Sequence, residues 1–367
     1  MKQLNLLKKN LKQKYKQIIT KFFNIVYGPI EGSIKKNKYI KIYEIKIKKK
    51  NYKIYEIKKC RIYTDTIHDT AFIKNNKIID GPSFQIRNLT NSSVKENKIF
   101  QYNTPRSLKK FQGPLLCTLT GGAGNNNYWH WMYDVLPRIG IVENKFKLKN
   151  FKSILVPDKI FAYQKETLNL LGVNNRSISS KKFRHIFSEK IVATSHPWQC
   201  STSAHTDIGR VPKWISLWLR LKFLKFKSNK KFFKKIYIDR SDSSSNLYYK
   251  RKIINENKIK QLLIKKGFKI LKLSDFKFVD QINIFNTAKI IVGNHGAGFA
   301  NLIFCKKNTK IIEFTNKYTP KTFKKISKDL KLNYVSIKGK TIDSDTKDIN
   351  NNIIISLNKL KEEVSKS

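Results

Sequence analysis

Two side chains suited to proton transfer stand four residues apart, in a stretch whose pattern predicts a helix from Tyr128. His130 and Asp134 have the spacing that places two side chains on the same face of a helix. A neighbouring carboxylate raises the basicity of an imidazole and fixes its tautomer, and such a pair can remove the proton of a hydroxyl group. The alternative for the same two residues is an ion pair on a helix surface.

A second candidate site is the glycine-rich loop that follows the aliphatic run 289–292. That run is typical of a buried strand, and helical spacing resumes at Phe299. A strand, a tight loop and a helix start let backbone N–H groups approach an anion such as a phosphate. The order of Gly293, Gly296 and Gly298 fits neither the dinucleotide motif nor the P-loop. Taken alone, such glycines more often form only a tight turn.

Charged residues end the neighbouring predicted strands. The segment 236–240 ends in Arg240, and the segment 310–314 brings Glu313 near its end. Parallel strands of one sheet end at the same edge, where open α/β folds bind ligands. Arg240, the glycine loop and Glu313 are therefore expected together, and Arg251 lies close by at the start of a predicted amphipathic helix.

In this order the motifs resemble glycosyltransferase family 61. One part of the resemblance is the stretch 127–138, which reads NYWHWMYDVLPR. The other runs from 236 to 314 and includes Asp280-Gln281, His295-Gly-Ala-Gly and Asn301-Leu-Ile-Phe. Two matches in the right order are more specific than one glycine loop.

The resemblance implies an α/β fold of two Rossmann-like domains facing a cleft, the GT-B type. The residue patterns outside the resemblance add an N-terminal basic helix and a β-rich extension. The expected segments are a basic amphipathic helix at 1–30, a β-rich extension at 31–105, an acceptor-side Rossmann-like domain at 106–228, a nucleotide-sugar-binding Rossmann-like domain at 229–340, and a C-terminal helical tail at 341–367.

The activity that the resemblance implies is inverting transfer of a sugar from a nucleotide sugar, expected to be UDP-linked, to a hydroxyl of a glycan or lipid-linked glycan. Cell-surface polysaccharide biosynthesis is the expected setting. The predicted catalytic residues are His130 and Asp134, and either of them could be the base. The predicted donor-binding residues are Arg240, Arg251, His295, Gly296, Ala297, Gly298, Asn301 and Glu313.

Within that set, the resemblance assigns the diphosphate to Arg240, Arg251 and the loop amides, and the ribose hydroxyls to Glu313. Departure of a nucleoside diphosphate develops negative charge, which fixed cations and a helix N-terminus can stabilise in place of a metal. No metal and no cofactor besides the donor co-substrate are therefore predicted. Asp343 and Asp345 form a D-x-D pair, but they lie in a polar segment near the end of the chain, which favours chance occurrence.

The composition is strongly basic. Among 367 residues, 76 Lys and Arg stand against 25 Asp and Glu, a formal charge of +51. Nucleic acid and anionic membranes are the partners that such a charge suggests. The excess is spread along the whole chain without a nucleic-acid-binding motif, so a general compositional bias and no specific nucleic acid are predicted. The alternatives are a non-catalytic basic protein that binds nucleic acid or membrane, and an inactive carbohydrate-binding relative.

The N-terminal residues 1–28 predict an amphipathic helix. Its apolar residues recur every three or four positions, and the other faces carry mostly Lys, Asn and Gln. The predicted apolar positions are Leu4, Leu7, Leu11, Tyr15, Ile18, Phe22 and Val26. Such a helix could lie on an anionic membrane surface. It could equally dock against its own domain or a partner protein.

The remaining features predict location and local structure. No apolar run is long enough to cross a bilayer, no signal peptide is recognised, and isolated cysteines favour a cytoplasmic protein, with the inner face of the membrane as an option. The repeats 41–46 and 53–58 favour an antiparallel hairpin. Trp129, Trp131 and Tyr133 could stack on a sugar, although core packing is more frequent. His196 and His205 receive no role, and the group Asp65, His68 and Asp69 is interpreted as a polar turn.

Overall fold

The computed structural model describes residues 2–35, 38–66, 69–83, 85–87, 90–92, 94, 97, 106–119, 127–198, 207–241, 251–342 and 350–366. The chain divides into two compact units. The first comprises Met1–Ile160 and Gly172–Ala204, and the second comprises Phe161–Leu171 and His205–Ser367.

The first unit is built on one mixed sheet. Its strands are β1 Ser33–Ile34, β2 Ile40–Ile47, β3 Lys50–Thr66, β4 Asp69–Lys74, β5 Lys77–Ile79, β8 Lys109–Cys117, β9 Ser153–Val156, β10 Ser177–Ser179 and β11 His185–Thr194; β6 Gln85–Arg87 and β7 Thr90–Ser92 form a separate hairpin. The sheet order is β1-β5-β4-β3-β11-β8-β9-β10, and β2 pairs with β3. Strands β11, β8, β9 and β10 are parallel neighbours.

The β-rich extension and the segment that follows it share this sheet. Strand β3 runs antiparallel to β11, from Tyr63 opposite His185 to Ile54 opposite Thr194. The predicted segments 31–105 and 106–228 therefore meet within one continuous hydrogen-bonded sheet. The predicted hairpin is confirmed: β2 and β3 pair antiparallel, with Lys53 opposite Glu44.

The helices of the first unit are α1 Lys2–Tyr27, α2 Tyr128–His130, a π-helical turn Trp131–Val135, α3 Leu136–Val142, and 3-10 turns at Leu148–Asn150 and Asn174–Arg176. Helix α1 contacts the sheet through its last turns. Phe23 is buried there against the rings of Tyr27, Tyr63 and His185. The predicted apolar positions of α1 are exposed instead of docked against this unit.

The second unit contains a five-stranded sheet whose neighbours are all parallel. The strands are β12 Lys235–Asp239, β13 Lys269–Lys272, β14 Ile290–Asn294, β15 Lys310–Thr315 and β16 Asn333–Lys338, in the order β13-β12-β14-β15-β16. The chain leaves β12 toward β13 and then crosses back to β14 on the other side. A reversal of this kind opens a crevice at the carboxyl edge between β12 and β14, and such a crevice is the usual ligand site of an open α/β sheet.

The helices of the second unit are α4 Ala162–Leu170, α5 Lys213–Phe223, α6 Glu256–Lys265, α7 Phe278–Thr287, α8 Thr322–Asp329 and α9 Leu357–Ser365, with 3-10 helices at Leu224–Phe226, Leu273–Asp275 and Ala297–Phe304. Helices α4 and α5 precede the expected start of this domain at residue 229, yet both are bonded to it. Glu166 of α4 accepts a hydrogen bond from the first N–H of α7, and Arg220 of α5 donates to the carbonyl of Cys305.

The C-terminal segment completes the core of the second unit. Short strands β17 Lys340–Thr341 and β18 Ile353–Ile354 pair antiparallel. Ile353, Ile355, Leu360 and Val364 are buried in the same apolar cluster as Tyr237 of β12. The tail is therefore a structural part of the second unit.

Among the described residues, no helix has both the length and the apolarity that crossing a bilayer requires. Cys60, Cys117 and Cys305 are buried free thiols, and Cys200 lies outside the described residues.

Replacing Leu360 by Ala is expected to lower the free energy of unfolding by about 2–5 kcal/mol, because the side chain is fully buried and its removal leaves a cavity. Urea unfolding of the full chain measures the change. The neighbouring exposed residue gives the control, since Lys361→Ala should leave stability within about 0.5 kcal/mol. Equal stability of the two variants would show that α9 does not support the core.

Candidate active site

The pair predicted in the first unit is present. His130 ends α2, Asp134 lies in the π-helical turn, and His130 Nδ1 is 2.6 Å from Asp134 Oδ2. The side chain of Asn127 caps the start of α2 by accepting a hydrogen bond from the N–H of Trp129. The helix continues past Pro137 to Val142, and the irregular turn lies just before the proline. Pro137 has no N–H to donate, so the regular hydrogen-bond pattern of the helix is interrupted here, and π-helical turns occur inside α-helices at such irregular points.

Asp134 is held by groups from distant parts of the first unit. Trp198 Nε1 donates to Asp134 Oδ1, and the buried His196 accepts from the backbone N–H of Trp198. Arg138 is fully buried, and its Nε donates to the carbonyl of Asp134 at 2.8 Å. Both carboxylate oxygens of Asp134 are thus engaged, one by the imidazole of His130 and one by the indole.

These contacts decide the charge of the pair. Burial alone would raise the pKa of Asp134, but the charge and hydrogen bond of His130, the charge of His196 and the hydrogen bond of Trp198 together lower this pKa below its ordinary value. Burial alone would lower the pKa of His130, but the charge and hydrogen bond of Asp134 raise this pKa above its ordinary value. Asp134 is therefore a fixed anion that makes His130 more basic.

The two side chains differ in accessibility. The side chain of His130 is 31% exposed, whereas that of Asp134 is 2% exposed. Because Nδ1 of His130 faces the carboxylate, its proton resides there, and Nε2 carries the lone pair of the neutral ring. Of the pair, His130 is the one that can meet a substrate hydroxyl.

The aromatic residues of this helix belong to the core. Trp131 and Tyr133 are fully buried, and Trp129 stacks on Tyr133 with ring centroids 3.9 Å apart. These rings are therefore part of the packed core and do not form a surface on which a sugar could stack.

In the second unit, the predicted residues collect at the carboxyl edge of the sheet. Arg240 follows β12 and its Nη1 donates to the carbonyl of His295, which follows β14, at 2.9 Å. A side chain at Gly296 would place its Cβ 2.8 Å from Arg240 Nε, and one at Gly298 would meet Leu273 at 2.8 Å. A larger residue at either position would displace the neighbouring side chain, so glycine lets Arg240 and Leu273 lie directly against the loop backbone.

Arg240 and Arg251 line a common pocket at this edge. Its walls are formed by Tyr237, Arg240, Arg251, Lys252, Ile253, Glu256 and Asn294. Glu256 is held at the wall by Tyr237 Oη, which donates to it at 2.9 Å, and by Lys260. Arg240, Arg251 and Lys252 thus line a space that the family resemblance assigns to the diphosphate, and a group of cationic side chains favours a multiply charged anion.

Arg251 has an unusual backbone that its neighbours hold in place. Its φ is 67°, in the left-handed region that costs free energy for a residue with a side chain. Asn294 Nδ2 donates to the carbonyl of Arg251 at 2.7 Å, and the N–H of Arg251 donates to the carbonyl of Asn350 at 2.7 Å. Arg251 Nε also donates to Asn350 Oδ1 at 2.9 Å.

Glu313 and His295 form a second imidazole–carboxylate pair. His295 Nδ1 is 2.5 Å from Glu313 Oε1, and Tyr334 Oη donates to Glu313 Oε2 at 2.5 Å. The side chain of Glu313 is 1% exposed, and that of His295 is 11% exposed. Glu313 therefore lies beneath the carboxyl edge of the sheet, and its contact there is with His295, the more exposed member of the pair.

Asn301 is placed in the interior. It is fully buried in the 3-10 helix and donates to Gln281 of α7 at 2.9 Å. This 3-10 helix, Ala297–Phe304, stands where the sequence predicted an ordinary helix start, and its residues from Phe299 onward are buried. Packing on all sides accounts for the tighter turn. Ala297 and Gly298 are partly exposed at its beginning.

Several groups in these arrangements were not predicted. Trp198 and His196 stood in a segment without an assigned role, and Asn294, Tyr334 and Asn350 carried no motif. A side chain that acts through a contact distant in sequence leaves no local spacing to detect. Arg138 was visible as part of the 127–138 stretch, but its burial was not.

Some predicted features lie outside the described residues: the glycines 121–124, His68, Cys200, His205, Asp343 and Asp345. Across the part of the chain that is described, no three His, Cys, Asp or Glu side chains are grouped so as to hold a metal ion. The requirement for a metal stays a matter of prediction.

Candidate residues of both units lie within the part of the chain that matches a known protein family. A family model described as Glycosyltransferase 61 matches residues 128–312, half of the chain. The match starts at the helix that carries His130 and Asp134 and extends through Arg240, Arg251 and the glycine loop. A search of curated proteins found no match.

Replacing Asp134 by Asn is expected to lower the pKa of His130 below its value in the native protein. The amide keeps the shape of the carboxylate but removes the charge that offsets burial. Titration of the imidazole resonances by NMR measures the shift. His185 of the same unit is the internal control, because burial lowers its pKa to about 4 and Asp134 does not contribute. The same His130 pKa in both proteins would contradict the coupling.

Proposed function

We propose that this chain, which belongs to glycosyltransferase family 61 and is a glycosyltransferase, transfers a sugar from a UDP-linked donor to a hydroxyl of a glycan acceptor with inversion. The second unit binds the donor and the first supplies the base, in an arrangement of the GT-B type. The acceptor is a glycan or a lipid-linked glycan of cell-surface polysaccharide biosynthesis.

The observation that carries the proposal is the cationic pocket at the carboxyl edge of the second sheet. Arg240, Arg251 and Lys252 line it, and Arg240 is bonded to the glycine loop. Two guanidinium groups can donate to the oxygens of a diphosphate in a fixed geometry. The N–H groups of Ala297 and Gly298, in the first turn of the 3-10 helix, add further donors.

The imidazole of His295 adds to this donor site. Glu313, which also accepts a hydrogen bond from Tyr334, holds the Nδ1 side of His295, so Nε2 of this ring is the atom that meets the nucleotide. Glu313 serves the ribose of the donor indirectly, by orienting this ring, because its side chain is almost completely buried. Asn301 supports the site from the interior by fixing the 3-10 helix to α7.

The base is His130. In the reaction, His130 Nε2 accepts the proton of the acceptor hydroxyl while the hydroxyl oxygen bonds to the anomeric carbon. The bond from that carbon to the phosphate oxygen breaks on the opposite face, and the nucleoside diphosphate leaves with the electron pair. Inversion follows from this single in-line displacement. Asp134 stabilises the imidazolium that forms, because its buried carboxylate stays ionised.

The charge that develops on the leaving diphosphate is met by protein groups, so we propose catalysis without a metal. Arginine side chains and oriented N–H groups are already in place before the reaction, which makes them effective for a developing negative charge. The donor nucleotide sugar is then the co-substrate and no cofactor is needed.

Replacing Asp134 by Asn, or His130 by Ala, is expected to lower the rate constant of transfer by about 10²–10⁴, the usual contribution of a general base. Binding of UDP should be unchanged in both variants, because the donor is bound by the other unit. Transfer kinetics and calorimetry with UDP measure the two effects. Full transfer activity in both variants would remove the pair from the chemistry.

Replacing Arg240 by Ala is expected to weaken UDP binding by about 10- to 100-fold, the loss typical of a charge-assisted hydrogen bond. Calorimetry measures the affinity. Lys265→Ala removes the same charge at an exposed position of α6 and should bind UDP like the native chain. Unchanged affinity of the Arg240 variant would refute the donor site.

Addition of EDTA is expected to leave transfer activity intact. The assay compares initial rates with EDTA, without it, and with manganese restored. A strict manganese requirement would overturn metal-independent catalysis and direct attention to Asp343 and Asp345.

A further inference from the structure

Helix α1 presents an apolar stripe that its own unit does not cover. The stripe consists of Leu4, Leu7, Leu11, Tyr15, Ile18, Phe22 and Ile25, which are between 57% and 81% exposed. These positions fall on one side of the helix. Phe23, on a different side, is buried against Tyr63 and His185 and holds the last turns to the sheet. One face of the helix is thus attached to the sheet, and the face that carries the stripe is exposed to solvent.

Lysines border the stripe on both sides. In helical projection, Lys14 and Lys21 lie along one margin and Lys8 and Lys12 along the other. Residues 2–27 contain no Asp or Glu. With 26 residues the helix is about 39 Å long, so the apolar side chains and their lysine margins form an extended surface.

We propose that this stripe lies on an anionic lipid surface. Exposed leucine, isoleucine and aromatic side chains enter the boundary between headgroups and acyl chains, while lysines at the margins reach the lipid phosphates. A second copy of the same helix is a poor partner, because it would bring lysines against lysines. A nucleic acid would engage the lysines and leave the apolar stripe in water.

The full chain is tested by sedimentation with vesicles of phosphatidylcholine and phosphatidylglycerol, compared with vesicles of phosphatidylcholine alone. We expect binding to the anionic vesicles and at least about tenfold weaker binding of the double variant Leu11→Ser with Ile18→Ser. The matched control is Asn10→Ser with Gln17→Ser, which has the same spacing on an exposed polar side of α1 and should bind like the native chain.

Three results would overturn this proposal. Equal binding of the stripe variant and the native chain would show that the overall charge alone attracts the vesicles. No binding of the native chain to the anionic vesicles would exclude a lipid surface as the partner of the stripe. A dimer that forms without vesicles and is lost in the stripe variant would identify a second copy as the occupant. UDP affinity is expected to be unchanged in the stripe variant, so failure here leaves the proposed transfer reaction untouched.

A second inference rests on the proposed function and on a different observation, the contacts that hold Arg251. We infer that Asn350 is a positioning residue for the donor site. It accepts from both the N–H and the Nε of Arg251, and so fixes the backbone in its left-handed conformation and one edge of the guanidinium. The segment that carries Asn350 is tied to the core by Ile353 and Ile355, so the C-terminal tail sets the direction of a cation in the pocket.

A double-mutant cycle tests this role through UDP affinity. Asn350→Ala is expected to weaken binding by about tenfold in the native background and by less than about twofold in an Arg251→Ala background. Asn352→Ala is the control, because Asn352 lies in the same segment as Asn350 and its Oδ1 accepts from the backbone N–H of Lys252 instead of from Arg251. It should bind UDP like the native chain.

Equal loss of affinity from Asn350→Ala in both backgrounds, or an equal loss from Asn352→Ala, would overturn the inference and indicate a general effect on the tail. No effect of Arg251→Ala itself would instead refute the proposed donor site. The two failures are therefore distinguishable.

Discussion

The candidate chemistry of the first unit depends on keeping one buried carboxylate ionised. A carboxylate removed from water loses several kcal/mol of hydration unless donors and charges replace it. At Asp134 those groups are the imidazole of His130, the indole of Trp198 and the nearby His196. They come from a helix and from the segment after β11, so the sheet must be formed before the site exists.

A similar arrangement, a buried carboxylate bonded to an imidazole, is present in the second unit. Glu313 is buried, and His295 and Tyr334 satisfy its two oxygens. In both units a buried carboxylate bonds to Nδ1 of an imidazole that is more exposed than the carboxylate. The surroundings differ. The first pair lies in a helix with an irregular turn, while the second lies at the carboxyl edge of a parallel sheet, where Arg240 donates to the carbonyl of His295. Under the proposed function, the first ring accepts a proton and the second meets the donor.

Local spacing was enough to predict the groups that neighbouring strands or turns bring together. The pairing of His130 with Asp134 follows from a four-residue interval, and the meeting of Arg240 with the glycine loop follows from parallel strands that end at one edge. The hairpin of β2 and β3 follows from an alternating repeat. In each case the geometry of one element or one strand pair determines the contact.

Contacts between distant segments were not predictable in this way. Nothing local to Trp198 indicates that it bonds to Asp134, and nothing local to Asn350 indicates that it holds Arg251. The 3-10 helix at Ala297–Phe304 depends on the packing around it, which overrides the helical spacing. The extension of the first sheet by β3 likewise depends on β11, more than a hundred residues later. Tertiary contacts decide these features.

The central claim is that an imidazole made more basic by Asp134 accepts the proton of the acceptor. The most direct measurement is the pH dependence of kcat/KM for sugar transfer. Only the neutral ring can accept a proton, so the rate should fall as the pH drops through the raised pKa of His130, at a pH above the ordinary value of about 6.5. The residual activity of His130→Ala should lack that fall. A native profile that is flat in this range, or one that the His130 variant reproduces, would contradict the account.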